Sequence, residues 1–193
     1  MRIGVLALQG AFIEHIQVLQ SLGVEAVEIR KPEGLRDLDG LIIPGGESTT
    51  FGKLAVAYGL IEPIRAMCAA GKIVWGTCAG MIFLAKDAGR AQPLIGVMDV
   101  QVKRNAFGRQ VDSFEVDLDI PALEPRAPFH AIFIRAPLIE SVGRGVEVLA
   151  TLSDGTIVAA RQGNLMVTAF HPELTGDARF HRYFIECIRE RKA

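Results

Sequence analysis

Short apolar runs alternate with helical patterns in the first half of the chain. The runs that predict strands are residues 3–8, 25–29, 40–43 and 73–75. Between them, apolar residues recur at helical spacing over residues 11–22 and again over about 50–70. Strands that alternate with helices indicate βαβ units, so this half predicts a mostly parallel sheet.

The second half of the chain is richer in short strands. The runs that predict them are residues 97–102, 113–118, 131–134, 147–152, 156–160 and 165–170. Asp154-Gly155 is typical of a hairpin turn between two of these runs, and a last helix is predicted over about 176–191. No linker or repeat interrupts the chain. We therefore expect one domain over residues 1–193. Its predicted class is α/β, a three-layer fold whose central, mostly parallel sheet is accompanied by antiparallel strands from the second half.

The composition narrows the classes of partner. The 21 basic and 22 acidic side chains nearly cancel and form no basic stripe, so nucleic acid is not an expected partner. No apolar stretch is long enough to span a membrane. The three cysteines, Cys68, Cys78 and Cys187, suit neither a disulfide framework nor a metal knuckle. A cytoplasmic protein is the expectation.

Cys78 is the first candidate for chemistry. It follows the apolar run of residues 73–75 within the sequence GTCAG, with Gly76, Ala79 and Gly80 around it. Small residues at these positions are typical of a nucleophile elbow, in which a strand turns sharply into a helix. A thiol at that helix N-terminus is favoured as the thiolate. Cys68 and Cys187 lie on apolar helical patterns and are interpreted as buried, inert thiols.

His171 and Glu173 could supply the base that such a nucleophile needs. They follow the predicted strand 165–170 in the sequence HPE, which lets both side chains point to the same side. A thiol nucleophile requires a proton acceptor, and that acceptor requires an orienting partner. The zinc deaminase signature also contains His-x-Glu, but its second cysteine motif is missing here. His15, His130 and His181 have no such motif and are interpreted as surface or structural residues.

The third candidate element is the sequence PGGEST at residues 44–49. Consecutive glycines allow backbone N–H groups to approach a ligand closely, so beside a thiolate we expect an oxyanion hole from Gly46 and Ala79. A phosphate-binding loop is excluded for two reasons. One residue too many separates Gly46 from Gly52-Lys53, and Leu54 stands where that loop requires serine or threonine. Glu47 and Ser48 also suit the cap of a helix that begins near residue 49.

These motifs together resemble the class I, triad-type glutamine amidotransferases. More narrowly, the chain resembles the glutaminase subunits of pyridoxal 5′-phosphate synthase. The blocks that carry the narrower likeness are residues 4–10, 44–49, 75–81, 104–110, 113–115, 133–137 and 170–173. They run from the first predicted strand almost to the last helix, so the likeness covers the whole chain.

The resemblance implies a reaction and a set of roles. Cys78 attacks the carboxamide of L-glutamine, His171 is the general base and then the acid, and Glu173 orients it. The residues that the likeness assigns to the glutamine pocket are Gly46, Glu47, Ser48, Arg104, Ile134 and Arg135. Gln9 would lie at the partner-facing edge and help to set the oxyanion loop.

The likeness also implies a partner. Family members pass ammonia to a separate (β/α)8-barrel synthase subunit in a large hetero-oligomer, where pyridoxal 5′-phosphate is made. It implies no metal and no cofactor for this chain.

Three other functions remain open at this stage. A glutaminase could serve another pathway, such as imidazole glycerol phosphate formation, because the triad says nothing about the acceptor of ammonia. A cysteine hydrolase or peptidase could use the same elbow. A catalytically silent module could do no more than stabilise a synthase.

Overall fold

The computed structural model describes residues 1–104 and 113–191. Strands alternate with helices in the first half, as the apolar pattern predicts. The helices are α1 (Phe12–Ser21), α2 (Ser48–Ala57), α3 (Ile61–Ala69), α4 (Ala79–Leu84) and α5 (Arg179–Glu190). The strands are β1 (Arg2–Leu6), β2 (Glu25–Ile29), β3 (Gly40–Ile43), β4 (Ile73–Thr77), β5 (Ala85–Asp87), β6 (Met98–Lys103), β7 (Ser113–Leu118), β8 (Phe129–Ile134), β9 (Leu138–Val142), β10 (Glu147–Thr151), β11 (Ile157–Gln162) and β12 (Leu165–Thr168).

One large sheet organises the described residues. Its strand order is β2-β1-β3-β4-β12-β11-β9-β6-β5, and β10 pairs with β11 beside this path. The strands from β2 to β12 in that order are parallel to their neighbours, whereas β11 is antiparallel to β12, β9 and β10. The predicted α/β class with a mostly parallel sheet and added antiparallel strands is confirmed.

Two strands of the second half leave this sheet. β7 and β8 pair antiparallel with each other as a separate ribbon, so the second half does not only extend the central sheet. The structure also contains β5 and β9, which the sequence pattern does not predict. β5 has three residues, and β9 (LIESV) buries only Ile139, so neither shows a clear apolar alternation.

The helices α1 and α5 meet over Trp75 of β4. The indole is fully buried, and its ring is stacked on Phe180 with centroids 5.7 Å apart, close also to Phe184. Both phenylalanines lie on the buried face of α5. From α1, the His15 ring lies T-shaped to the same indole with centroids 5.6 Å apart, so ring packing attaches both helices to the middle of the sheet.

Four adjacent parallel strands place their carboxyl ends at one edge. In sheet order these are β1, β3, β4 and β12, and the chain beyond their ends contains Gln9, the loop of residues 44–47, Cys78 and His171. Ligands of parallel α/β sheets bind outside the carboxyl ends of the strands. The topology therefore assembles the predicted site from four separate segments. No helix in the described ranges is long and apolar enough to cross a membrane.

Candidate active site

Cys78 lies at a sharp turn between β4 and α4. Its backbone has φ of 48° and ψ of −104°, an uncommon conformation for a residue with a side chain. A Cβ atom at Gly76 would collide with the Gly80 carbonyl, and one at Gly80 would collide with the Ile43 carbonyl. The Cys78 N–H donates to the Thr168 carbonyl at 2.8 Å, which ties the turn to β12. A strained cysteine and two close approaches between backbone segments are the features of a nucleophile elbow, as the sequence predicts.

His171 and Glu173 form a hydrogen-bonded pair beside this turn. Nδ1 of His171 lies 2.7 Å from Oε1 of Glu173, whose side chain is fully buried. Glu173 belongs to a short 3-10 turn, Pro172–Leu174, and the His171 N–H donates to the Ile132 carbonyl at 2.9 Å. Because Nδ1 is occupied by the carboxylate, Nε2 is left for Cys78.

His171 is held in its charged form. Burial alone would lower the pKa of His171, but hydrogen bonds to Cys78 and Glu173 and the negative charge on both groups outweigh burial and raise that pKa to about 10. An imidazolium next to a sulfur favours the thiolate, which is the nucleophilic form. The arrangement can therefore carry out nucleophilic attack followed by proton return.

The loop after β3 packs directly against this pair. Gly45 is buried between Cys78 and His171, and a Cβ atom at Gly10 would collide with the Gly45 carbonyl. With its amide oriented so that both of its polar atoms are satisfied, the Gln9 carboxamide pairs with the Glu47 backbone, donating to its carbonyl at 3.3 Å and accepting from its N–H at 3.0 Å. Gln9 thus holds the loop that contains Gly46.

The Glu47 carboxylate caps α2. It accepts hydrogen bonds from the N–H groups of Thr49 at 3.1 Å and Thr50 at 2.7 Å and from the Thr49 hydroxyl at 2.5 Å. The hydrogen bond from the Thr49 side chain, together with those from Thr50 and the Thr49 N–H, outweighs the opposing effect of burial and lowers the pKa of Glu47 to about 2. The carboxylate also accepts a hydrogen bond from Nη2 of Arg104 at 3.3 Å. Glu47 therefore both caps α2 and lies at the site.

A cavity of about 530 Å³ opens above Cys78. Every residue that the sequence assigns to the site lines it, except Glu173, which lies behind His171. The predicted residues in its wall are Gln9, Gly46, Glu47, Ser48, Cys78, Ala79, Arg104, Ile134, Arg135 and His171. The cavity has the size of an ordinary small-molecule site.

Three residues of the cavity wall are informative on their own. Ser48 is buried, and its hydroxyl has no hydrogen-bond partner within the described residues, so it is free for a ligand. Arg135, just after β8, has a positive φ of 44°, an unusual conformation that occurs at functional sites. Arg104 donates to Gln92 at 3.0 Å as well as to Glu47. The rest of the motif at 104–110 lies outside the described residues.

The sequence interpretation missed the surroundings of Glu173. His15 and His181 are fully buried, and Nε2 of His15 lies 3.3 Å from Oε2 of Glu173. The available signal was helical spacing, because His15 is four residues before the buried Leu19 on α1 and His181 is three before the buried Phe184 on α5. His130, by contrast, is half-exposed between Glu115 and Asp117.

Cys68 and Cys187 are buried free thiols, and burial raises the pKa of both, that of Cys68 to about 11. This agrees with the prediction that they are inert. The described residues contain no cluster of His, Cys, Asp and Glu suited to a metal ion.

Comparison with known proteins identifies close relatives. The pyridoxal 5′-phosphate synthase subunit PdxT of Herpetosiphon aurantiacus is 62% identical over 189 residues, which cover 96% of this chain and 99% of that protein. The PdxT subunit of Moorella thermoacetica is 61% identical over 189 residues, with 97% and 100% covered.

Solved structures agree. A crystal structure described as a glutamine amidotransferase has a TM-score of 0.92 and 52% identity, covering 97% of this chain and 98% of that one. PurLQS from Thermotoga maritima, at 17% identity and a TM-score of 0.75, covers 100% and 99% and shares the fold. The model of the SNO glutamine amidotransferase family matches residues 5–190. With the elbow, the histidine–carboxylate pair and the glycine loop at one cavity, the chain belongs to the SNO glutamine amidotransferase family.

Proposed function

We propose that this chain is a glutaminase that hydrolyses L-glutamine to L-glutamate and ammonia and delivers the ammonia to the synthase subunit of pyridoxal 5′-phosphate synthase. The observation that supports this reaction is the arrangement of Cys78, His171 and Glu173 at the base of the cavity. The names of the PdxT relatives, which match along nearly their full length, support the pathway.

The first half of the reaction makes a thioester. Sγ of Cys78 attacks the side-chain carbonyl carbon of glutamine, and the carbonyl oxygen becomes an oxyanion. The N–H groups of Gly46 and Ala79 stabilise that charge, since both residues line the cavity next to Cys78. Nε2 of His171 then gives its proton to the leaving nitrogen, the carbon–nitrogen bond breaks, and ammonia departs.

The second half regenerates the enzyme. Water attacks the thioester carbon while His171 takes one of its protons, and the carbon–sulfur bond breaks to release glutamate. The sulfur leaves as the thiolate beside protonated His171, so atoms and charges return to their starting state. Glu173 holds Nδ1–H throughout, which keeps Nε2 directed at the reacting atoms.

The cavity wall suits the amino-acid end of glutamine. Arg104 and Arg135 offer guanidinium groups to the α-carboxylate, and Arg104 has donors beyond those bound to Gln92 and Glu47. The Ser48 hydroxyl, which has no partner in the part of the chain that the structure describes, and the backbone of Gly46 and Glu47 add polar groups, and Ile134 contributes an apolar contact. The whole chain, residues 1–193, is proposed to act as one glutaminase domain.

The partner belongs to the same proposal. We infer a (β/α)8-barrel synthase subunit in a large hetero-oligomer in the cytoplasm, and Gln9 near the edge that it contacts. Free ammonia made without an acceptor wastes glutamine, so the isolated subunit is expected to be weakly active. Docking would then complete the oxyanion loop at Gly46.

The test is glutamate release from glutamine with and without the synthase subunit, and with Cys78→Ala in place of the wild type. We expect release that depends on the synthase and that the substitution abolishes. Release that ignores the synthase would reopen the pathway, and turnover of peptides or esters without a partner would favour a cysteine hydrolase. Unchanged ammonia production by Cys78→Ala in the complex would refute the role of Cys78.

A further inference from the structure

Two buried histidines continue the line of polar groups behind Glu173. Nε2 of His15 lies 3.3 Å from Oε2 of Glu173 and 3.3 Å from the Thr77 hydroxyl, and it is better aligned on Thr77. Nδ1 of His15 lies 2.9 Å from Nε2 of His181. Both rings are fully buried, and both are T-shaped to the indole of Trp75, with centroids 5.6 Å away for His15 and 5.1 Å away for His181. Neither histidine lines the substrate cavity.

The chemistry of the partners fixes the direction of hydrogen bonding. A carboxylate only accepts, so the close approach to Glu173 is favourable when the proton of a neutral His15 lies on Nε2, between Glu173 and Thr77. Nδ1 of His15 is then an acceptor, and Nε2–H of His181 donates to it. His181 therefore has no proton on Nδ1, which agrees with the lack of any hydrogen-bond partner for that nitrogen in the described residues.

Both rings are neutral in this arrangement. Burial lowers the pKa of His15 well below its usual value, and the neighbouring His181 and His171 lower it further. Burial lowers the pKa of His181 to about 3. The titratable groups that face His15 are thus His181 from α5, Glu173 from the 3-10 turn and, beyond it, His171.

We propose that His15 is a positioning residue for the catalytic triad, held in the required tautomer by His181. This rests on the proposed function. His15 presents an N–H to the oxygen of Glu173 that His171 does not use, and so keeps the carboxylate charged and oriented. Oε2 of Glu173 makes no well-aligned hydrogen bond among the described residues, so the contact with Nε2 of His15 at 3.3 Å is its interaction with a polar N–H group. Loss of that contact leaves a buried carboxylate oxygen without any polar neighbour recorded in the described residues.

Loss of the contact between His15 and Glu173 should change the charges of the triad in a direction that can be measured. A carboxylate without a donor on Oε2 holds its charge less well, so the proton between His171 and Glu173 moves toward Glu173. His171 then carries less positive charge next to the sulfur of Cys78. The thiolate forms only at higher pH, and at neutral pH less of the enzyme is ready to attack.

The experiment uses the complex with the synthase subunit and four variants: His15→Leu, His15→Gln, His181→Phe and His130→Gln. The rate at which iodoacetamide alkylates Cys78 is followed against pH by mass spectrometry, and kcat and KM for glutamine are measured on the same samples. Alkylation requires no glutamine turnover, so it tests His15 even if the proposed function fails. Thermal unfolding checks that each variant is folded.

For His15→Leu we expect the midpoint of alkylation to rise by about one pH unit and kcat to fall about tenfold, with KM within about twofold, since His15 does not contact the substrate cavity. His15→Gln places an amide N–H near the position of Nε2 and is expected to restore most of both quantities. His181→Phe keeps the ring against Trp75 but removes the donor to His15, so it should shift the midpoint in the same direction by less. His130→Gln removes an exposed histidine and should behave as wild type.

A folded His15→Leu complex with the wild-type midpoint and kcat would overturn the proposal. So would a His15→Gln complex shifted as far as His15→Leu, because packing rather than the donated N–H would then be the cause. If His15→Leu does not fold, His181→Phe decides, and a wild-type midpoint for that variant refutes the proposal. Absence of glutamate release by the wild-type complex would instead contradict the proposed function.

Discussion

Gly45 lies directly against the imidazole of His171. A Cβ atom added at Gly45 would be 2.5 Å from Cε1 of His171 and 3.2 Å from Cβ of Cys78. The loop after β3 therefore sets the space in which the histidine and the cysteine meet. Only a residue without a side chain permits this approach.

Gly45→Ala is predicted to separate the histidine from the cysteine. The added methyl group must push the imidazole away, and a displacement of about 1 Å can reduce turnover about a hundredfold. Cys78 alkylation at neutral pH and kcat in the complex should both fall strongly. Gly176→Ala is the matched control, because nothing lies within 4 Å of a Cβ atom there. Wild-type alkylation by Gly45→Ala would contradict the prediction.

Gly46→Ala tests whether the loop must change conformation. A Cβ atom at Gly46 meets Gln9 and Gly10 at 3.5 Å, an ordinary contact, so the variant should fold normally. If docking turns the Gly46 peptide into a left-handed conformation, alanine adds roughly 1–2 kcal/mol and lowers kcat about tenfold or more. The measurement is kcat and KM in the complex. Weaker glutamine binding with unchanged kcat would count against this mechanism.

Gln9→Glu is expected to loosen the oxyanion loop. The substitution keeps the shape but removes the donor to the Glu47 carbonyl and adds a negative charge there. We expect kcat in the complex to fall about tenfold, as for loss of a hydrogen bond that leaves a partner unsatisfied. Gln17→Glu, on the exposed side of α1, makes the same chemical change away from the loop and should leave kcat unchanged. Equal kcat values for the two variants would exclude a role for Gln9.

Cys78→Ala should lower the pKa of His171. Burial already disfavours the charged ring, and the hydrogen bond to Cys78 is foremost among the effects that raise the pKa to about 10. Without the sulfur, only Glu173 opposes burial, so the pKa should fall well below that value. An NMR titration of the ring protons measures it, with the pKa of His130, raised by Asp117 and Glu115, as the internal reference. A pKa of His171 that does not change would show that Glu173 alone holds the proton.

Acid is expected to destabilise the fold through His15 and His181. Both have a pKa below the usual value of 6.5 in the folded chain, that of His181 about 3. The unfolded chain therefore binds more protons below pH 6.5, and this contribution to stability, complete above that pH, is lost as pH falls toward 3. For each histidine, the free energy of unfolding falls by up to about 1.4 kcal/mol for every unit by which the pH is lowered.

The measurement is urea unfolding of the wild type and His181→Phe between about pH 5.5 and pH 4.5. The carboxyl groups are common to both proteins, and burial, the largest cause of the low pKa of His15, remains in the variant, so the difference between the slopes reports on His181. The variant should lose less stability per pH unit. Equal slopes would mean that His181 takes up its proton without unfolding.

Local chemistry explains why the reacting groups were predictable from the sequence. The small residues around Cys78, the single proline between His171 and Glu173, and the paired glycines at 45 and 46 each constrain a few neighbouring residues. Backbone geometry over such short distances follows from residue type. The predicted cavity residues in the described part of the chain accordingly lie together, although their roles rest on the experiments above.

Other features depended on contacts that are distant in sequence. β9 carries a weak apolar pattern, yet it pairs along β6 and with Ile157 at the start of β11, and both of these strands are distant from it in sequence. The alternation of residues in β7 and β8 predicts two strands, but it does not specify that they pair with each other apart from the main sheet.

The sequence by itself determined the α/β class, the nucleophile elbow and the histidine–glutamate pair, since each follows from spacing within a few residues or from a repeated strand–helix pattern. Only the tertiary structure decided that His15 and His181 stand behind Glu173. Those histidines are 166 residues apart and come together because α1 and α5 pack over Trp75. Burial of a polar ring and the partner it finds are properties of that packing, which no local spacing specifies.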